Sequence, residues 1–316
     1  MTHLIRDFTG KDYEAVVAVH NAVYPDYEAK PSDWRHWDEN REAKIRWRRF
    51  VAERNGAVVG WASFANSAWT FHPRKFWVEV GVHPEHRGQG IGKALYEQVF
   101  ESVAEFEPIV LRSDVREDNE LGRGYSERRG YRVDQREQES MLDIEAFDPE
   151  PFAADLKRAS DQGIALRSWT EIKDLPDALG KFHRIGEEAG ADVPSSDPHT
   201  PSSLEAFRKR VLENPNFLPD LNILAMDGDE PVGISNLWKE ATEGRVETGL
   251  TGVRREYRKR GLATAMKVHA LAAAKAAGYK ATITWNEENN RGMLGINQRL
   301  GFEFRPVWLM IENVLD

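Results

Sequence analysis

The chain has no cysteine, which excludes disulfides, thiolate metal sites and a cysteine nucleophile. It also lacks any apolar run near the roughly 20 residues of a membrane helix. The opening stretch MTHLIRDFTGKD has no apolar segment of the secretory-signal type, so cytoplasm is the expected location, without a membrane partner. Positive charge is in deficit: 43 Lys and Arg against 52 Asp and Glu give a formal net charge of −9. That sign disfavours non-specific nucleic-acid binding and mildly favours cationic or polar substrates. Hydrophobic residues make up 41% and charged residues 30%, the balance of an ordinary globular protein, and 316 residues suit two domains of roughly 150 each.

One short pattern is present twice. VGVHPEHRGQGIGKAL runs from Val80 to Leu95, and TGVRREYRKRGLATAM from Thr251 to Met266. Each follows a strand-like run and opens an amphipathic stretch. The first four amides of a helix have no partner within it, and they add to the positive end of the helix dipole. Gly88, Gly90 and Gly92 in the first copy, and Gly261 and Ala263 in the second, let a backbone come close to phosphate oxygens. A single glycine-rich loop of this length is weak evidence, whereas two in the same context are strong. The same 171-residue offset links Val82 to Val253, Asn119 to Asn290 and Gly130 to Gly301.

Upstream, VAERNGAVVGWAS and LAMDGDEPVGIS read as hairpins turning at Asn55-Gly56 and Asp227-Gly228. Helices are expected from Ile91 to Val103 and from Leu262 toward Gly278, with strands near Ile109–Ser113 and Ala281–Trp285. The chain therefore reads as two copies of one domain, residues 1–146 and 163–316. A proline-containing strap over residues 147–162 joins them.

Each copy resembles a GCN5-related N-acetyltransferase (GNAT) domain, through RGQGIG and RKRGLA and through an Asn followed eleven residues on by Gly-Tyr or Gly-Phe. The resemblance covers nearly all of the chain. It implies an α+β fold of two tandem domains, each a mixed, mostly antiparallel, splayed sheet flanked by helices, with acetyl-CoA as cofactor. By that resemblance the backbones of Val80, Gly81 and Val82, and of Thr251, Gly252 and Val253, would hold the pantetheine arm. The pyrophosphate would rest on Arg87, Gly88, Gln89, Gly90, Ile91, Gly92 and Lys93 in one copy. In the other it would rest on Arg258, Lys259, Arg260, Gly261, Leu262, Ala263 and Thr264. Asn119 and Asn290 would touch the middle of the arm, although each position equally suits a helix N-cap.

Acyl transfer to an amine requires a base, because a lysine-like ammonium has a pKa of roughly 10.4. Glu247 is the best candidate: it lies six residues before Val253, on the expected strand face of Gly249 and Thr251, and the family often has a catalytic Glu there. Nearby Glu240, Glu243, Glu287 and Glu288 would raise its pKa. The competing reading is a solvated carboxylate paired with Arg245. The first copy has Phe76 at the equivalent place, and its Glu79 is expected on the opposite face, which makes it a poorer base.

The general acid departs from the family pattern. Ser126 and Asn297 stand where many members carry a Tyr, and Tyr125 is one position off. Asn297 retains a hydrogen-bond donor. A thiol pKa of roughly 8.5 makes the thiolate a tolerable leaving group unaided. His83 and His86 lack the spacing of a helical metal pair, and no metal site is expected. Trp285, at a strand end, is a candidate wall for an acceptor pocket.

These residues favour acetyl transfer to a small-molecule amine with the second copy catalytic. Two alternatives stay open: a non-enzymatic acyl-CoA-binding protein, or an acyltransferase acting on a hydroxyl or a mycothiol-like precursor.

Overall fold

A computed structural model describes residues 3–315. The first repeat supplies strands β1 (Leu4–Asp7), β2 (Trp47–Arg54), β3 (Ala57–Ala65), β4 (Lys75–Val82), β5 (Val110–Arg116) and β6 (Arg132–Asp143). The second supplies β7 (Ile164–Ser168), β8 (Phe217–Asp227), β9 (Glu230–Lys239), β10 (Arg245–Val253), β11 (Ala281–Glu287), β12 (Glu303–Phe304) and β13 (Trp308–Val314). Among the described residues no helix is long and apolar enough to cross a membrane.

Contacts divide the chain into two units. The first holds the residues up to Arg136 together with those from Trp308 onward, and the second holds Glu137–Val307. The sequence repeat marks a division at residues 147–162; the contact units follow strand pairing instead. β13 pairs with β5 in the first unit, and β6 from Glu137 onward pairs with β11 in the second.

In the first unit β1, β2, β3 and β4 pair antiparallel in sequence, β5 joins β4 in parallel, and β13 closes antiparallel on β5. In the second unit β7, β8, β9 and β10 pair antiparallel, β11 joins β10 in parallel, and β6 closes antiparallel on β11, carrying the short β12. Both sheets are thus mixed and mostly antiparallel, in an α+β arrangement.

The hairpin turns show their local causes. Arg54 faces Ala57, so Asn55 and Gly56 are the two central residues, both at positive φ (52° and 80°), the geometry that matches strand twist. The second hairpin closes one residue later than expected. Asp227 faces Glu230, which makes Gly228 and Asp229 central and puts the left-handed residue, Gly228 at φ 58°, first.

The helix Ile91–Ala104 buries Ile91, Leu95, Val99 and Val103 on one stripe, at the spacing the sequence shows. Its counterpart Leu262–Ala276 presents a small-residue face, and Ala265, Ala270 and Ala274 bring it close to Ile223, Ala225, Val232 and Val246. Gly278, at φ 85°, stops it in the left-handed conformation. On the other face of the second sheet, the helix Ala178–Gly190 packs Phe182 and Ile185 against Leu224, Met226 and Ile234. The strap residues are folded. A turn at Glu150–Phe152 leads into the helix Ala153–Asp161, whose buried Asp155 binds Arg299 at 2.6 Å.

Candidate active site

Both glycine-rich loops end at an open helix mouth. Gly90 and Gly261 stand just before the helices at φ 80° and 84°, and neither helix start has a side-chain cap. The first helical backbone bonds are Ala94 to Gly90 at 3.0 Å and Ala265 to Gly261 at 3.0 Å. The amides of Ile91, Gly92 and Lys93, and of Leu262, Ala263 and Thr264, therefore remain for an anion. Elsewhere Asn119 and Asn290 cap their helices, accepting from the amides of Gly122 (3.0 Å) and Met293 (3.3 Å). Their side-chain oxygens are thus committed to the cap.

The loops differ at one position. Gly88 has φ 73°, and its counterpart Lys259 holds nearly the same conformation at φ 61°. A side chain there is strained by about 1–2 kcal/mol. Arg87 and Arg258 turn their Nε back onto the last strand carbonyls, Val82 (3.2 Å) and Val253 (3.0 Å), so each braces its loop. Gln89 is bonded by Arg54.

Beside each loop the sheet splits. β4 pairs with β5 only over Lys75–Trp77, and β10 with β11 only over Arg245–Glu247. Beyond those rungs Val80, Gly81 and Val82, and Thr251, Gly252 and Val253, run along an opened strand edge. The second unit adds a β-bulge: Thr248 faces Leu237 and Thr251 faces Ser235, so β10 carries one residue more than β9. The first unit keeps unbroken register from Trp77 to Val82.

The bulge changes two expectations. Residues directly opposite in a sheet share a face. Glu247 opposes Trp238 and Thr251 opposes Ser235, and Trp238 and Ser235 lie on opposite faces of β9. Thr251 is therefore turned away from Glu247, and its hydroxyl pairs with Ser235 at 3.0 Å. The extra residue also shifts the equivalence between copies. Trp77, not Phe76, occupies the last parallel rung that Glu247 occupies in the second unit.

Glu247 is half-buried on that last rung, beside Ile283. Arg245 is not its partner, because its guanidinium is ion-paired with Glu240. Burial first, and then the nearby Glu240 charge, push the Glu247 carboxyl up to about 7, against a smaller opposing pull from Arg245. A carboxylate poised there can accept a proton near neutrality.

Glu79 shares the face of Trp77, contrary to the expectation built on Phe76. Ser63 donates to it at 3.3 Å. Glu79 is exposed. Desolvation raises its pKa, against smaller opposing pulls from the Arg49 charge, the Ser63 hydrogen bond and the Arg41 charge.

The acid candidates are committed elsewhere. Asn297 is fully buried and donates its amide to Asn286 at 2.7 Å. The Ser126 hydroxyl donates to the Gly122 carbonyl at 3.0 Å, and the Tyr125 hydroxyl to the Gly92 carbonyl at 2.7 Å. Burial pushes the Tyr125 phenol up to about 12.

Sequence reasoning missed several contributors. Asn236, buried in β9, accepts from the bulge amide of Leu250 (2.8 Å) and from the Trp238 indole (3.1 Å). A polar residue inside the apolar run GISNLW was its only signal. Asp192 takes Arg255 at 2.6 Å and also binds Arg258, so two cations at the second loop are held by one carboxylate. On the Glu247 face, β11 and β6 place Glu287 directly opposite Glu137, and Trp285 opposite Glu139.

The sequence matches known proteins in the same two places. Residues 12–131 and 183–302 each match the acetyltransferase (GNAT) family. Among solved structures, the chain is similar to a GCN5-related N-acetyltransferase from Sphaerobacter thermophilus, with 19% identity over 99% of this chain and 95% of that one and a TM-score of 0.72. It is also similar to a tandem GNAT protein from the clavulanic acid biosynthesis pathway, with 18% identity over 99% and 98% of the two chains and a TM-score of 0.74. At such identities these two likenesses concern the fold. No curated protein matches the sequence. The two matched stretches span well over half of the chain and contain both glycine-rich loops, and the chain belongs to the acetyltransferase (GNAT) family of acyltransferases.

Proposed function

We propose that this chain transfers the acetyl group of acetyl-CoA to an amine, with the second unit as the catalytic copy. The observation that carries this reading is Glu247: a half-buried carboxylate with no side-chain hydrogen bond or ion pair among the described residues, its pKa lifted to about 7, on the rung where the sheet splits. The first unit has Trp77 on that rung and unbroken register between β3 and β4.

The residues present fit acetyl-CoA. The open amides of Leu262, Ala263 and Thr264 suit its pyrophosphate, with Lys259 and Arg260 adding positive charge. The strand edge of Thr251, Gly252 and Val253 suits its pantetheine arm. The first copy offers Gly88, Gly90, Ile91, Gly92 and Lys93, with Val80, Gly81 and Val82, in the same way. Bound acetyl-CoA supplies an activated thioester. Glu247 takes the proton from the acceptor ammonium, which frees the nitrogen lone pair to form the new N–C bond as the C–S bond breaks. The thiolate needs no dedicated acid, given a thiol pKa of roughly 8.5. Asn297 acts as a support for Asn286.

The assignment of copies is tested by charge placed at each helix mouth. Ala263→Glu and Gly92→Glu both favour the helix start and repel a phosphate. Amine-dependent CoA release is expected to fall at least tenfold more in Ala263→Glu than in Gly92→Glu. The reverse ranking would move catalysis to the first unit.

A further inference from the structure

The face of the second sheet that carries Glu247 continues across β11 and β6. Ile283 stands beside Glu247, and Trp285 and Glu287 follow at two-residue steps on the same face. Four residues of extended strand put Glu287 about 13 Å beyond the Glu247 rung at the backbone. Trp285 lies between them. Its indole nitrogen donates to buried Glu139 at 3.3 Å, which fixes the ring.

At the far end, Glu137 and Glu287 are directly opposite in an antiparallel pair. Side chains so placed sit about 5 Å apart at Cβ, and two like charges there destabilise the sheet. Glu287 is held in place by Asn289, through its amide at 2.9 Å and its side chain at 2.8 Å. Glu137 is half-buried and has neither a hydrogen bond nor an ion pair among the described residues. Desolvation first, and then Glu287, lift its pKa above the usual carboxylate range. The fold does not demand this pair. The same positions in the first unit are Arg116 and Trp308, also directly opposite, and Arg116 there is satisfied by Asp118 at 2.7 Å. The second unit therefore maintains an unneutralised acidic pair at a fixed reach from an unpaired base, with an aromatic surface between them.

We propose that the amine acceptor is an extended diamine or polyamine, its reacting nitrogen at Glu247 and a second ammonium held by Glu137 and Glu287. The methylene chain between them lies along Trp285. This rests on the reading of Glu247 as the base and adds the substrate class.

The test compares octylamine, octamethylenediamine and spermidine in acetyl-CoA-dependent CoA release, and by direct titration into the full chain. The diamine and spermidine are expected to exceed octylamine in kcat/KM and in affinity by about 10- to 100-fold, the worth of a charge-assisted contact. Glu137→Gln, and separately Glu287→Gln, should collapse that ratio toward one. Either change relieves like-charge repulsion and is expected to fold. Octylamine turned over as well as the diamine would overturn the second site and leave the acetyltransferase reading standing. Diamine binding that is selective and lost in Glu137→Gln, without any acetyl transfer, would keep the site and overturn the base. Equal binding of all three amines overturns the inference whatever the turnover.

Discussion

Glu247 lies directly beside Ile283 on the last rung that joins β10 to β11. One strand neighbour is apolar, and the nearby guanidinium of Arg245 is committed to Glu240. The carboxylate is thus desolvated without being neutralised, at the point where the sheet opens. A structural ion pair would have lowered its pKa instead. Proximity to arginine in sequence was a poor guide, because alternation along the strand is only half of what decides pairing.

Asp192 is expected to compete with bound phosphate. It holds Arg255 and Arg258, and the Arg255 hydrogen bond chiefly keeps its carboxyl below the usual range. Asp192→Ala should tighten acetyl-CoA binding by about 2- to 10-fold, since exposed ion pairs are weak and easily exchanged for a phosphate contact. The gain should shrink at high salt. Weaker binding in calorimetry would show instead that Asp192 positions the arginines for the ligand.

Lys259 should show a trade between strain and charge. Lys259→Gly removes a left-handed side chain, so thermal unfolding should move upward, by up to about 1 kcal/mol of stability. It also removes a cation beside the helix mouth, and acetyl-CoA affinity should fall by about 2- to 5-fold. A variant less stable than the parent would contradict the strain reading.

Lys267 gives a pH-dependent prediction. It is buried on the helix Leu262–Ala276, with its amine 5.2 Å from the Phe302 ring centre, and burial lowers its pKa to about 7. The unfolded chain binds that proton up to about pH 10.5, so native stability rises as pH climbs from about 7 toward 10.5. Below about 7 both states are protonated and the native state bears the full cost of a buried charge. Lys267→Met should therefore stabilise strongly at pH 6 and progressively less by pH 9, at on the order of 1.4 kcal/mol per pH unit. Urea melts showing a pH-independent gain would refute it.

The local parts of the site were legible in sequence. Gly90 and Gly261 before their helices, the helix over Ile91–Ala104 and the stop at Gly278 follow from short-range geometry, and the repeat made them credible. The bulge at Thr248–Thr251 was not legible, because it exists only in the register between β10 and β9. Missing it misplaced Thr251, matched Glu247 to Phe76 rather than Trp77, and sent Glu79 to the wrong face. The pairing of β13 with β5, and of β6 with β11, escaped for the same reason: a repeat shows that strands exist, not which edges they join. The Asp192 grip on two loop arginines depends on a loop closing across about 60 residues of sequence, where nothing local marks it.

The pH dependence of kcat/KM in the parent and in Glu247→Gln tests the central claim most directly. The parent should show a limb rising through about pH 7, as Glu247 loses its proton. The variant should lose that limb and about 100-fold or more of the rate at neutral pH. An unchanged rate with the same inflection would contradict Glu247 as the base.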